Sequence, residues 1–430
     1  MYTYKTFTEV TDLGPYITKL ILDAPVPVRA ECVSPETFSV YVQRIDPYTG
    51  DVFMGSREWL GPKIYPSRGY RPVTAAYPCD EAGNKVYESD HIALEMPYGP
   101  IHPLGQAIAM LRSNFNEYVR CDYRVTQVKE IPGQIPISGW VFDEAAGDIC
   151  PQRKGWQNAV SHDKKLPMGY GWFTPEKTDP EAKLPLVIWL HGMGEGGKDA
   201  TIAYTGNKTV NISAPDIQRK LGGAAYVLAP QAPSFWMDSG AKNPLDPKEF
   251  ANSKSKYTKP LKALIDEFIK LHPDVDTKRI YIGGCSNGGF MTMRMILSYP
   301  NFFAAAYPVC EAFRDSDISD ADIEKIKHIP IWFTHAENDP LVPGDATAIA
   351  TVKRLRDAGA ENAHLSLFES VVDTSGLFND ERGCPYTYMA HFSWIYTYND
   401  ECIYDLDGTR VLHDGRPVSL WRWMGCQKKK

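Results

Sequence analysis

One serine, flanked by glycines on both sides, has the most chemically suggestive surroundings in this sequence. Ser286 lies within Gly284-Cys285-Ser286-Asn287-Gly288, which has the pattern G-x-S-x-G. A short apolar stretch, 279–283, precedes the pattern, and a helical pattern that ends at Pro300 follows it. A serine in a tight turn between a strand and a helix presents its hydroxyl at the carboxyl edge of a sheet. The context predicts a nucleophilic serine; the alternative is a surface serine in a glycine-rich turn.

A serine nucleophile needs a general base and an acid that orients the base, because its hydroxyl reacts poorly at neutral pH. In this kind of turn the chain order is Ser, then Asp or Glu, then His. Asp339 follows the apolar stretch 329–334 and is the predicted acid, with a helix-capping role as its alternative. Glu311, one strand earlier, is the rival acid. His391, in a loop before a short apolar helix, is the predicted base.

The oxyanion that forms during acyl transfer is normally stabilised by two backbone N–H groups. One predicted donor is Asn287, directly after the serine. The second donor is expected in the glycine-rich loop after the apolar strand 186–190, where Met193 is favoured over Gly192. A phosphate-binding loop is the competing interpretation, but Asp199 stands where that motif requires Ser or Thr.

An ester substrate also needs a pocket for its acyl or alcohol group, and such pockets are mostly apolar. Large apolar side chains near the predicted catalytic segments are the candidates, and a place in the hydrophobic core is the alternative for each. The candidates are Trp236, Phe290, Val342 and Trp394.

The elements that must position these residues follow an alternating pattern over 166–430. Unbroken apolar stretches, typical of strands buried on both faces, alternate with amphipathic helical patterns such as 260–271. This pattern predicts an α/β fold with a doubly wound, mostly parallel sheet. Residues 1–134 have short alternating strand patterns that predict an all-β sandwich without a catalytic group. Residues 135–165, rich in Pro, Gly and polar residues, are predicted to be a connection.

Four segments together resemble the α/β-hydrolase esterases, in the branch of prolyl-oligopeptidase, feruloyl-esterase and polyhydroxybutyrate-depolymerase-like proteins. The resemblance covers roughly residues 166–396 and implies an α/β-hydrolase fold, a triad of Ser286, Asp339 and His391, and no metal or organic cofactor. Some of these esterases carry an N-terminal immunoglobulin-like domain, which residues 1–134 match. The segments are His191-Gly192-Met193-Gly194, Gly284-Cys285-Ser286-Asn287-Gly288, Asp339-Pro340-Leu341-Val342-Pro343 and His391-Phe392-Ser393-Trp394.

The sequence departs from this family in two places. An insertion near 372–388 lengthens the segment between Asp339 and His391, and an extra tail over 399–430 follows the histidine. Both segments are expected to be able to reshape the substrate cleft. The substrate class therefore does not follow from the resemblance.

Composition and charge exclude several classes of partner. The 430 residues include 23% charged and 43% hydrophobic residues and carry a net charge of −7, which disfavours nucleic acid and anionic membranes as partners. No apolar stretch reaches the roughly 18 residues that a membrane-spanning helix needs. The nine cysteines include no C-x-x-C pair, so we expect no metal site. The N-terminus lacks a signal-sequence pattern, so we expect either a cytoplasmic protein or a secreted one whose signal has been removed.

The sequence therefore predicts a serine carboxylic-ester hydrolase that acts through an acyl-enzyme. Its expected partner is a small-molecule or polysaccharide-linked ester, either short-chain or aromatic, with feruloyl and acetyl groups among the candidates. One alternative is a prolyl-oligopeptidase-type peptidase, although the N-terminal region is too short for the propeller of those enzymes. The other is a binding protein with an inactive hydrolase domain. The oligomeric state is left open.

Overall fold

The chain divides into two compact units, Met1–Lys154 and Gly155–Lys430. The computed structural model describes residues 2–53, 56–57, 64–111, 115–133, 135–177, 179–243 and 253–429. Residue 134, where the sequence analysis ends the first domain, lies outside the described residues. Among the described residues, no helix is both long enough and apolar enough to cross a membrane.

The first unit is built from strands. In sheet order, β6-β3-β11-β12-β1-β2-β8-β7 form one sheet, which is antiparallel except where β1 runs parallel to β12. The strands of this unit are β1 (Tyr2–Thr11), β2 (Gly14–Arg29), β3 (Phe38–Ile45), β4 (Ser56–Arg57), β5 (Ile64–Tyr65), β6 (Arg68–Arg71), β7 (Ala75–Cys79), β8 (Glu88–Glu95), β9 (Ile108–Met110), β10 (Asn116–Tyr118), β11 (Arg120–Gln127) and β12 (Val141–Ile149).

This sheet folds over on itself and encloses its own core. Along β3 the side chains alternate between buried and half-buried, as the sequence pattern predicts. Val40 and Val42 of β3, near one edge of the sheet, share a core cluster with Ile92 and Leu94 of β8, near the other edge. Strands β6 and β7 are the two edges of the sheet, yet only residues 72–74 separate them in the chain, so the sheet must bend back on itself. The all-β sandwich expectation is confirmed.

The predicted connection 135–165 contains two strands. One is β12, which pairs with β1 and β11 in the first unit; the other is β13 (Trp156–Val160), at the edge of the second unit's sheet. Most side chains of β12 and β13 are exposed. Exposed strands have no buried face to impose alternation on the sequence, so their composition resembles that of a loop.

The second unit contains a sheet of order β13-β14-β16-β15-β17-β18-β19-β20, parallel from β16 to β20. This confirms the doubly wound, mostly parallel sheet. The further strands of this sheet are β14 (Gly169–Phe173), β15 (Leu184–Leu190), β16 (Tyr226–Pro230), β17 (Val275–Cys285), β18 (Ala305–Val309), β19 (Ile331–Ala336) and β20 (Ala363–Phe368). Two separate two-stranded sheets of this unit are formed by β21 (Val371–Val372) with β22 (Thr387–Tyr388) and by β23 (Leu412–His413) with β24 (Arg416–Pro417). Its helices are α1 (Ile202–Thr205), α2 (Pro215–Lys220), α3 (Thr258–Leu271), α4 (Asn287–Ser298), α5 (Asp320–Ile326), α6 (Ala348–Asp357), α7 (Trp394–Tyr398) and α8 (Leu420–Cys426).

The two faces of this sheet are covered differently. One face packs aliphatic side chains against helices such as α3 and α4. On the other face, α8 of the C-terminal tail adds two tryptophans to an aromatic layer. Trp421 packs 5.4 Å from Tyr307, and Trp423 packs 5.4 Å from Trp332, between ring centroids. The tail, expected from the sequence to be able to reshape the substrate cleft, thus forms part of the hydrophobic core.

Candidate active site

Ser286 occupies a strained turn between β17 and α4. Its backbone has φ 55° and ψ −113°, in a region that non-glycine residues rarely adopt. Backbone hydrogen bonds hold the turn: the N–H of Ser286 donates to the carbonyl of Val309 at 2.8 Å, and the carbonyl of Ser286 accepts from the N–H groups of Phe290 and Ala312 at 2.9 and 3.4 Å. The side chain of Ser286 is half-buried at the carboxyl end of β17. The strand–turn–helix predicted around the serine is present.

Close packing explains the glycines around the serine. A Cβ atom at Gly284 would lie 2.3 Å from the carbonyl oxygen of Leu190, and one at Gly288 would lie 1.9 Å from the same oxygen. Any larger residue at either position would push the turn away from the end of β15. The G-x-S-x-G pattern here is therefore imposed by contact between the serine turn and the loop that follows β15.

Asp339 and His391 form a buried hydrogen-bonded pair. Nδ1 of His391 lies 2.7 Å from Oδ2 of Asp339, while Oδ1 of Asp339 accepts from the N–H groups of Leu341 and Val342 at 2.8 and 3.0 Å. Burial alone would raise the pKa of Asp339, but the bonds from His391 and the two amides hold that pKa below its usual value. The carboxylate is thus ionised at neutral pH and orients the imidazole so that Nε2 is left as a base.

The serine and this pair share one edge of the sheet. Strands β17, β18 and β19 are neighbours, and Ser286 and Asp339 follow the carboxyl ends of the outer two. Cys310, at the end of β18, lies between them. Burial raises the pKa of its thiol well above normal, the Asp339 carboxylate raises it further, and the backbone of Ser286 opposes the shift.

The two candidate oxyanion donors each begin a helical turn. Met193 opens a 3-10 turn, Met193–Glu195, and Asn287 opens α4. The first N–H of a helical turn has no acceptor within that turn. In the part of the chain that the structure describes, neither N–H group has another acceptor. Gly192 packs against the side chain of Cys285, since a Cβ atom at Gly192 would lie 3.5 Å from its Sγ.

The four candidate pocket residues fall into two groups. Trp236 and Phe290 are 0% and 2% exposed and lie in the hydrophobic core, which is the alternative that the sequence left open for each, and their place in a pocket stays a prediction. Val342 and Trp394 lie beside the Asp339–His391 pair. The Trp394 ring meets the His391 ring edge-on, with centroids 5.6 Å apart. Apolar residues in core and pocket have the same sequence signature, so composition could not separate the two groups.

A second histidine, which was not among the predicted site residues, lies beside the acid. His335 is fully buried, with Nε2 3.0 Å from the carbonyl oxygen of Val342 and 3.7 Å from Oδ2 of Asp339. Burial lowers its pKa. A histidine four residues before the predicted acid, at a strand end, was the signal available in the sequence.

Glu311, the rival acid, has a different environment. Its side chain is fully buried, Oε2 accepts from the N–H of Phe313 at 2.6 Å, and Oε1 has no hydrogen-bond partner among the described residues. Burial raises the pKa of Glu311 to about 8; the Phe313 amide opposes the shift, and the charge of Asp315 adds to it. A carboxyl group that is largely protonated at neutral pH is poorly suited to stabilise an imidazolium.

The raised pKa of Glu311 predicts a pH-dependent stability. In the unfolded chain a glutamate titrates near pH 4.3. The contribution of Glu311 to the free energy of unfolding is therefore fully present below that pH and is lost as pH rises through about 8. The substitution Glu311→Gln replaces the titrating carboxyl group with an amide that does not titrate. The free energy of unfolding of the wild type relative to this variant should therefore fall by up to about 1.4 kcal/mol per pH unit between about pH 5 and 8. Urea denaturation across that range measures the slope. Glu337→Gln, at an exposed glutamate, is the control; parallel curves for wild type and Glu311→Gln would contradict the prediction.

Comparison with known proteins agrees with this architecture. Residues 3–134 match the family described as the esterase Ig-like N-terminal domain, and residues 173–374 match the phospholipase/carboxylesterase family. A solved structure described as a thermostable esterase is 26% identical, with a TM-score of 0.73 over 99% of both chains.

A relative of known name matches a shorter stretch. Poly(3-hydroxyalkanoate) depolymerase C of Paucimonas lemoignei is 30% identical over 128 residues, which cover 30% of this chain and 28% of the depolymerase. The match thus spans less than a third of that relative. Together with the fold, the two family matches and the esterase structure show a carboxylesterase-type α/β-hydrolase domain preceded by a domain similar to the esterase Ig-like N-terminal domain.

Proposed function

We propose that the protein hydrolyses carboxylic esters through an acyl-enzyme formed on Ser286. The observation that carries the proposal is the buried Asp339–His391 pair at the sheet edge where Ser286 lies in its strained turn. Asp339, His391 and Ser286 would then act as orienting acid, base and nucleophile. Each is on the second unit, so no catalytic group is required from the first.

The chemistry follows from the roles of these groups. Nε2 of His391 takes the proton of the Ser286 hydroxyl as Oγ attacks the ester carbonyl carbon. The carbonyl oxygen becomes an oxyanion, which the N–H groups of Asn287 and Met193 stabilise. His391 then returns the proton to the departing alcohol, leaving an acyl-serine. A water molecule repeats the sequence, releasing the acid and the free serine.

Aromatic surface beside His391 supports a short-chain or aromatic ester as substrate. The half-buried ring of Phe392 packs 4.7 Å from the ring of Trp394, and the Leu341 side chain is 39% exposed. An acyl or alcohol group with a ring can pack against such side chains. Feruloyl or acetyl esters attached to a polysaccharide belong to this class, as does the polyester suggested by the depolymerase likeness.

A peptidase of the prolyl-oligopeptidase type is less well supported. The propeller of those enzymes consists of several blades of about 40–45 residues, whereas the first unit here is an immunoglobulin-like fold. A non-catalytic binding role is also disfavoured, because acid, base and nucleophile candidates all lie at one sheet edge.

A substrate panel tests the proposed function. The purified protein is assayed with aryl esters from acetyl to dodecanoyl, a feruloyl ester and a peptide anilide. We expect the highest kcat/KM for a short-chain or aromatic ester and no measurable cleavage of the anilide, since an amide is the harder bond to cleave. Cleavage of the anilide alone would favour a peptidase, and inactivity towards every substrate would favour the binding role.

A further inference from the structure

We infer that Trp236 is a positioning residue that fixes the two candidate oxyanion donors, the N–H groups of Met193 and Asn287, relative to each other. The inference rests on the proposed function, because it assigns Trp236 a role only if those two groups stabilise an oxyanion. The hydrogen bonds and ring contacts of Trp236 are made to Asn287, His191 and Tyr257, so it would act on the reaction through the segments that carry the two donors.

Trp236 makes a hydrogen bond to each of the two segments that supply the donors. Its backbone N–H donates to Oδ1 of Asn287, the residue after the nucleophile. Its indole N–H donates to the carbonyl oxygen of His191 at 3.1 Å, two residues before Met193. Asn287 and His191 are 2% and 1% exposed, so water does not compete for either bond. Trp236 thus links the serine turn, through its backbone N–H, to the loop after β15, through its indole N–H.

The imidazole of His191 completes this link. Its Nε2 accepts the N–H of Ala232 at 3.0 Å, and its Nδ1 lies 2.6 Å from the carbonyl oxygen of Gly192, which assigns the proton to Nδ1. The ring packs against the Trp236 indole, with centroids 5.1 Å apart. Burial lowers the pKa of His191 to about 4, so the ring is neutral at neutral pH and both bonds persist.

Such a link has a specific consequence for catalysis. Oxyanion donors accelerate the reaction only if they already point at the position that the charged oxygen will occupy. A misplacement of about 1 Å can cost about a hundredfold in rate. Without the indole bond, the loop that carries Met193 would be tied to the serine turn by fewer contacts. Transition-state binding should then suffer more than substrate binding.

A second buried tryptophan provides a matched control. Trp189, on β15, is also fully buried, and its indole N–H has no hydrogen-bond partner among the described residues. Trp189→Phe and Trp236→Phe remove the same atoms from the core of the same unit. Both substitutions should lower Tm, because both leave a cavity. Only Trp236→Phe removes a hydrogen bond to the loop that precedes Met193.

The experiment measures kcat and KM on the best ester of the panel, and the affinity for phenylboronic acid. Boron accepts Oγ of the serine and becomes a tetrahedral anion, which mimics the transition state. We expect Trp236→Phe to lower kcat by about tenfold to a hundredfold. This is no more than the loss in kcat expected when a whole oxyanion donor is removed. KM should stay within about threefold, and boronate affinity should fall in parallel with kcat/KM. Trp189→Phe should leave kcat and boronate affinity within about twofold.

Two results would overturn the inference. One is wild-type boronate affinity and kcat in Trp236→Phe; the other is an equal loss in Trp189→Phe, which would make the effect one of core packing. If Trp236→Phe does not fold, Asn287→Ala removes the acceptor of the Trp236 N–H while keeping the backbone donor, and the same losses are expected. Ser286→Ala separates this inference from the proposed function: full activity in that variant would refute the proposed nucleophile whatever Trp236 does.

Discussion

Ser286→Ala is expected to lower kcat for ester hydrolysis by at least about 10⁴-fold, because the substitution removes the atom that would form the acyl-enzyme. The fold should be unaffected. The bonds that hold the turn are made by the backbone of Ser286 and not by its hydroxyl. Stopped assays with the best aryl ester, together with a thermal melt, measure both quantities.

The control for this variant is Ser298→Ala, at the last residue of α4, the helix that follows Ser286. It removes a hydroxyl from the opposite end of that helix and should keep wild-type kcat. If Ser286→Ala instead keeps activity within tenfold of wild type, with an unchanged melting curve, the assignment of the nucleophile is wrong.

Asp339→Asn is expected to lower kcat by about 10⁴-fold. Both carboxylate oxygens of Asp339 are acceptors in the folded protein: Oδ2 for Nδ1 of His391, and Oδ1 for the amides of Leu341 and Val342. The asparagine side chain has only one acceptor oxygen. If that oxygen faces the amides, the NH₂ group faces His391 and favours the tautomer in which Nε2 carries the proton and cannot act as a base.

Glu311→Gln is the comparison for Asp339→Asn, because it makes the same chemical change one strand earlier. We expect its kcat to stay within about tenfold of wild type, since Glu311 bonds to Phe313 and its raised pKa leaves it largely protonated. Measuring kcat of both variants on one ester decides between the two acids. A larger loss at Glu311 would place the triad acid on the loop after β18.

The acid–base pair and the strand–turn–helix around the serine could be predicted because Ser286 and Asp339 each follow the carboxyl end of a buried parallel strand. Buried parallel strands appear in the sequence as unbroken apolar stretches, so the positions after β17 and β19 could be located. The parallel direction then placed Ser286 and Asp339 at one edge. The glycines supplied independent support, because close contact with Leu190 excludes any side chain at Gly284 and Gly288.

The features that the sequence could not predict depend on which neighbours cover a residue. Strand β12 has no buried face over most of its length, so its residues lack the alternation that marks a strand. Trp236, in a loop, and Trp394, at the start of α7, are both large aromatic residues, yet one is wholly in the core and the other lies beside His391. His335 acquires its significance only from the fold, which brings it to the carbonyl of Val342.

The aromatic layer under α8 gives this helix a particular importance during biosynthesis. A nascent chain leaves the ribosome N-terminus first, and its domains fold as units once their residues are available. Here the sides of Tyr307 and Trp332 that face α8 stay uncovered until residues 420–426 have been made. The hydrolase unit therefore cannot complete its core before α8 has left the ribosome. A chain that stops short of α8 would expose this aromatic surface to solvent.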